Sequence, residues 1–164
     1  MIRPEFVIRP LAAADLPQMF SIINDAAQAY KGIIPTDRWH EPYMPMDELK
    51  AQIADGIVFS GYESGGELLG VMGVQDKGDV TLIRHAYVRS SARRKGIGEQ
   101  LLRHLETTTR KPVLIGTWAS AAWAIRFYEK NGYREQSRSE TERLLRKYWT
   151  IPDRQIETSV VLAK

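Results

Sequence analysis

The stretch Val88-Arg-Ser-Ser-Ala-Arg-Arg-Lys-Gly-Ile-Gly98 constrains this chain more than any other. It runs from an apolar strand pattern into the start of an amphipathic helix, with two glycines and three consecutive cations at the joint. Glycine tolerates positive φ and lets a backbone come close to a ligand. The first N–H groups of a helix have no acceptor within the helix, and the helix dipole makes that end positive. A strand, a glycine turn and a helix N-terminus joined in this way suit a bound pyrophosphate. Without a ligand, the same residues would make a solvated basic turn.

Spacing narrows the ligand. A nucleotide-binding P-loop needs Gly-Lys-Ser or Gly-Lys-Thr, and no such triplet occurs here. The dinucleotide fingerprint needs a third glycine at position 101, which is leucine. What remains is Arg93-x-x-Gly96-x-Gly98. A second segment, Ala124-Ile-Arg-Phe-Tyr-Glu-Lys-Asn-Gly-Tyr133, follows the strand pattern Val113–Trp118 and reads as a helix closed by a glycine. In this order and at this distance, the two segments resemble the GNAT superfamily of N-acyltransferases, over about the central third of the chain.

The resemblance implies acetyl-CoA as cosubstrate. Arg93, Arg94, Lys95, Gly96, Ile97 and Gly98 would wrap its pyrophosphate, with Glu99 on the same helix turn. The backbone of Ala86, Tyr87 and Val88 would pair with the pantetheine arm and donate to the thioester oxygen. Tyr128 matches the tyrosine that often protonates the departing thiolate; its alternative role is packing. Two family features are missing. Position 121, where relatives often carry asparagine, is alanine, and Thr81, Leu82 and Ile83 occupy the stretch where many carry a glutamate base.

The flanking pattern supplies the fold class. A short strand at 5–9 precedes helical spacing from Leu11 to Tyr30, a proline-rich loop to Pro45 and a second helix ending at Gly56. Strands follow at about 57–63 and 67–75, joined by a Ser-Gly-Gly turn, then at 79–88. Beyond the glycine loop come a helix at 97–109, a strand at 112–118, a helix at 121–131, a strand at 133–138, a helix at 140–149 and a strand at 155–162. Strands that first meander and then alternate with helices predict an α/β domain of the α+β type. Its single mixed, mostly antiparallel sheet of about seven strands would be covered by helices on both faces, with residues 1–164 as one domain.

Composition limits the function. With no cysteine, a thiolate nucleophile, disulfides and cysteine metal sites are excluded, and no metal site is expected. Charges and prolines break the first ten residues before a signal-peptide core can form, and no apolar run is long enough for a membrane span. These features predict a cytoplasmic protein. A net charge of +3 is only mildly basic. The cluster Arg138, Arg143, Arg146 and Lys147 is better explained as a solvated helix face than as a nucleic-acid surface. A homodimer is the default among soluble oligomers.

Acyl transfer to an amine also needs a base and an acceptor pocket. Alternation along the central strand puts Leu82, Arg84, Ala86 and Val88 on one face and Ile83, His85 and Tyr87 on the other. His85 has a suitable intrinsic pKa of about 6.5 for a base, although a structural histidine fits the pattern better. The segment Trp39-His40-Glu41-Pro42-Tyr43 lies where the family lines its substrate pocket, and Arg84 and Trp118 are candidates for the same pocket. An inward Arg84 would favour an anionic group on the substrate. The expected activity is direct acetyl transfer in a ternary complex to a primary amine, the acceptor a small molecule. Transfer to a protein amino group and a catalytically weak CoA-binding module are the alternatives.

Overall fold

Short apolar runs punctuated by glycines build the first half of the molecule as a meander. In the computed structural model, which describes residues 5–164, β1 (Phe6–Pro10) is followed by α1 (Leu16–Ala26) and α2 (Met46–Ala54). Then come β2 (Val58–Ser64), β3 (Glu67–Asp76) and β4 (Thr81–Val88), each paired antiparallel with its predecessor in the sheet. Gly65 and Gly66 turn the chain between β2 and β3 with φ of 60° and 78°, as a type I′ hairpin requires. Residues 1–4 of the proline-broken N-terminus lie outside the described part.

The helix expected from Leu11 to Tyr30 is divided into a 3₁₀ turn at 13–15, α1, and a second 3₁₀ turn at 27–30. Asp15 is the reason at its start. Its carboxylate accepts the Ala12 N–H at 2.8 Å and two Arg9 N–H groups at 2.9 Å, which fixes a separate turn before Leu16.

The second half winds rather than meanders. It comprises α3 (Ile97–Glu106), β5 (Val113–Trp118), α4 (Ala122–Lys130), β6 (Arg134–Glu135), α5 (Arg138–Tyr148), α6 (Asp153–Glu157) and β7 (Ser159–Ala163). The seven strands lie in the order β1-β2-β3-β4-β5-β7-β6. The β4–β5 pair is parallel and the other pairs are antiparallel, so the sheet is mixed and mostly antiparallel, as expected. Two strand expectations need correction. The strand at 133–138 is cut to two residues because Ser137 caps α5, accepting the Glu140 N–H. The strand at 155–162 starts late because Pro152 initiates α6.

Helices α3 and α4 cover one face, where Ile97, Leu101 and Tyr128 pack on Met72, Ile83 and Ile115. The opposite face carries α1 and α2 over Phe59 and Val71, and α5 and α6 over Leu82 and Leu114.

One irregularity in β4 positions everything that follows. Val71 faces Tyr87 and Gly73 faces Arg84, so His85 and Ala86 together oppose Met72. This is a β-bulge, with His85 at φ 56°. The extra residue overturns the expected alternation beyond it. Leu82, Arg84 and Tyr87 share the face of α1, α2 and α5, whereas Ile83, Ala86 and Val88 share the face of α3 and α4. Pairing of β4 with β5 ends at Ile83–Ile115, just before the bulge. From there the two strands diverge.

Candidate active site

The gap between β4 and β5 is a cleft of about 1010 Å³ that passes through the sheet. On the α3 and α4 side, it is lined by Arg93, Arg94, Gly96, Ile97, Gly98 and Glu99, while Lys95 lies outside it. Arg94 and Gly96 adopt φ of 65° and 77°. From Arg94 to Glu99, no backbone N–H has an acceptor within the protein, among the described residues. Two left-handed residues before a helix turn successive N–H groups toward one anion, and the dipole of α3 adds positive charge. Glu99 is drawn aside by an ion pair with Arg103 at 2.6 Å. The loop is anchored from below: Asp25 accepts the Ser90 N–H at 2.8 Å and its hydroxyl at 2.7 Å. The Ser90 amide is the first reason that the Asp25 carboxyl stays below its usual pKa. These donors fit a diphosphate.

Ala86, Tyr87 and Val88 line the cleft where β4 has lost its parallel neighbour. The Arg89 N–H bonds Leu69 in β3 at 2.8 Å, so strand alternation turns the Ala86 and Val88 amides toward the open side. Tyr128 reaches the same gap from α4. Burial raises its phenol well above the usual pKa, and among the described residues no group hydrogen-bonds to it, so the hydroxyl stays protonated and free to donate.

On the opposite face, the cleft is walled by Tyr30, Tyr43, Tyr87, Trp118 and Trp149, with Arg84 and His85 on β4. Trp118 Nε1 donates to the Tyr43 hydroxyl at 3.0 Å, and the rings of Tyr30 and Tyr43 lie 5.5 Å apart. The 39–43 segment contributes Tyr43 to the lining, and its other members sit elsewhere. Trp39 packs on the Tyr43 ring at 5.8 Å. His40 is exposed and bonds the Pro42 carbonyl at 2.9 Å, and Glu41 pairs with Lys31 at 3.1 Å at the surface. His85 stacks on Phe59 at 6.0 Å and bonds Gln52 Oε1 at 3.2 Å. Burial, followed by the charge of Arg84, lowers its pKa to about 3, so the ring is neutral at physiological pH.

Sequence comparison decides the family. A model described as an acetyltransferase (GNAT) domain matches residues 24–146, well over half of the chain. The chain belongs to the GNAT acetyltransferases.

No curated protein matches this GNAT chain by sequence. Solved structures share its fold. The PaiA N-acetyltransferase of Thermoplasma acidophilum, determined with coenzyme A, superposes with a TM-score of 0.74 at 19% identity, covering 98% of both chains. A GNAT-family acetyltransferase of Staphylococcus aureus gives 0.72 at 17% identity, again with 98% of both chains covered. The ribosomal-protein-S18-alanine N-acetyltransferase of Escherichia coli gives 0.68 at 19%, covering 97% of this chain and 92% of that one.

Several cleft residues of this GNAT domain carry no local motif. Tyr30 ends the 3₁₀ turn that follows α1, at a position that keeps the helical spacing of a core residue, and Trp149 reaches the cleft by resting its ring on Gly116, 3.2 Å from where a Cβ would lie. The second basic cluster is locally paired. Arg138 bonds the carbonyls of Ile156 and Ser159, Arg143 pairs with Glu140, Arg146 with Glu142 and Asp153, and Lys147 with Asp79. Among the described residues, no group of three or more histidine or acidic side chains is arranged to hold a metal. No helix among them is long and apolar enough to cross a membrane.

Proposed function

We propose that this protein transfers an acetyl group from acetyl-CoA directly to the primary amine of a small molecule. The observation that carries this is the splayed end of β4 and β5 lying beside the unpartnered N–H run at Arg94–Glu99. The loop holds the diphosphate, and the free Ala86–Val88 edge takes the pantetheine arm as an added strand would. The amine enters from the aromatic side. Its nitrogen forms a bond to the thioester carbon while the carbon–sulfur bond breaks, and its surplus proton leaves to water. The Ala86 and Val88 amides are placed to hold charge developing on the carbonyl oxygen.

Tyr128 serves the departing sulfur. A phenol raised above its usual pKa of about 10 gives up its proton less readily than a thiol of pKa about 8.5. The hydroxyl therefore stabilises the thiolate as a hydrogen-bond donor. His85, neutral with a conjugate acid near pKa 3, is too weak a base to hold the amine's proton, so the proton passes to solvent. An acceptor of small size is supported by the walls: the loop bearing Tyr43 and the α5–α6 segment bearing Trp149 border the cleft on both sides.

The test is calorimetric titration with acetyl-CoA, paired with an assay of thiol release over a panel of amines. Gly96→Val is expected to abolish acetyl-CoA binding. A β-branched residue resists the 77° φ at this position, but the site is open, with no atom within 4 Å of a Cβ. The strain, about 1–2 kcal/mol, should leave the fold intact by circular dichroism. Unchanged affinity in a folded Gly96→Val variant would refute the pyrophosphate site.

A further inference from the structure

The aromatic half of the cleft has an unusual charge balance. Of the described side chains lining the cleft, the one carboxylate belongs to Glu99, on the α3 side and paired with Arg103. On the opposite face, the one charged lining residue is Arg84. Its Nη1 donates to Gln75 Oε1 at 3.1 Å. Gln75 is 3% exposed, and its own amide nitrogen donates to the Asp55 carbonyl at 3.0 Å and to the Asp55 carboxylate at 3.2 Å. Asp55 therefore fixes the direction of the Gln75 amide, with its oxygen toward Arg84, while staying one residue removed from the guanidinium.

Arg84 makes no ion pair among the described residues, and burial lowers its pKa. A guanidinium carries five donors in a planar fork that matches a carboxylate. Asp55 acts on Arg84 only through space, its charge offsetting part of the burial cost. A partly buried cation with no carboxylate in contact is costly, and here it faces a cavity rather than a packed core. Its place is also specific. Arg84 immediately precedes the His85 bulge and shares its face with Tyr87, so it lies at the foot of the gap whose upper edge is Ala86–Val88. Among the described residues, the same wall offers no carboxylate to receive a second ammonium group.

We propose that the acceptor is an amino carboxylate, a primary amine that also bears a carboxylate, and that Arg84 binds this carboxylate while the amine points toward Ala86–Val88. This rests on the acetyltransferase function proposed above. A polyamine or a lysine-rich peptide would instead place extra positive charge against Arg84 with no compensating anion.

The experiment compares matched pairs in the thiol-release assay: phenylalanine with phenethylamine, leucine with isoamylamine, and 4-aminobutyrate with propylamine, with spermidine and phosphoethanolamine alongside. The expected result is that at least one amino carboxylate exceeds its decarboxylated partner in kcat/KM by about tenfold or more, the value of a charged hydrogen-bonded pair. Arg84→Gln should collapse that ratio mainly through KM, and Arg84→Lys, which keeps the charge without the fork, should retain part of it. Preference for a decarboxylated amine, spermidine or phosphoethanolamine would overturn the proposal, as would a ratio unaltered in a folded Arg84→Gln variant. Acetyl-CoA binding without turnover of any amino carboxylate would also overturn it. Failure of acetyl-CoA to bind would instead remove the underlying acetyltransferase function.

Discussion

Tyr128 and His85 stand on opposite sides of the same gap, and burial moves each away from neutral-pH proton exchange. Tyr128 keeps its proton, and His85 refuses one until about pH 3. Tyr128→Phe removes the donor proposed for the leaving sulfur without removing the ring that packs on Phe127 and Tyr133. The expected loss is about 100-fold in kcat, a typical size for one positioned donor, with a much smaller change in acetyl-CoA affinity by calorimetry. His85 should show itself in stability. Unfolded, it gains a proton near pH 6.5, whereas folded it does so only near pH 3. The unfolded state then binds more protons between those values, so stability is full above about 6.5 and falls as pH drops toward 3. Urea midpoints measured between pH 7 and 4.5 should fall more steeply for the wild type than for His85→Gln. The loop cations and glycines, Arg93 to Gly98, were legible from residue order alone. The placement of His85 was not, because the bulge is a register shift against β3, a tertiary feature absent from the local pattern.

At the scale of elements, the start of α3 is set by contact with the sheet beneath it. A Cβ at Gly70 would stand 2.9 Å from Ile97 Cγ2, at the first helical residue. Gly70→Ala is therefore expected to lift the N-terminus of α3, costing about 1–3 kcal/mol by overpacking, and to weaken acetyl-CoA binding although Gly70 is outside the loop. Thermal denaturation and calorimetry on the same sample check both effects, and full affinity would show that the loop is insensitive to its footing. Elements bounded by strong punctuation were readable. The Gly65–Gly66 hairpin, the α3 start at Gly96 and the α4 end at Gly132 all coincide with positive-φ glycines. The five-residue α6 was not, because one turn and a half gives too few residues for a helical period to show. The contribution of the 39–43 segment was only partly legible, since proline stiffening says nothing about which side chain turns inward.

For the molecule as a whole, a meander of four strands is joined to a second sheet half through a single parallel pair of short register, Thr81–Val113 to Ile83–Ile115. The mixed sheet with helices on both faces followed from the order of patterned segments, since strands joined by short turns pair as hairpins and a parallel pair needs a crossover, here through α3 between β4 and β5. The route of the cleft through the sheet could not be read in the same way. It depends on where two distant strands part, and on aromatic side chains from the 3₁₀ turn at 27–30, the 39–43 segment, β5 and the α5–α6 linker meeting around that point.

A perforated sheet gives each reactant its own doorway. In the proposed reaction the nucleotide tail would rest outside on the α3 side, and the second molecule would arrive through the wall of rings behind it. Neither visitor would have to wait for the other to depart, so both could be resident at once, and the acetyl unit would travel only the thickness of the sheet.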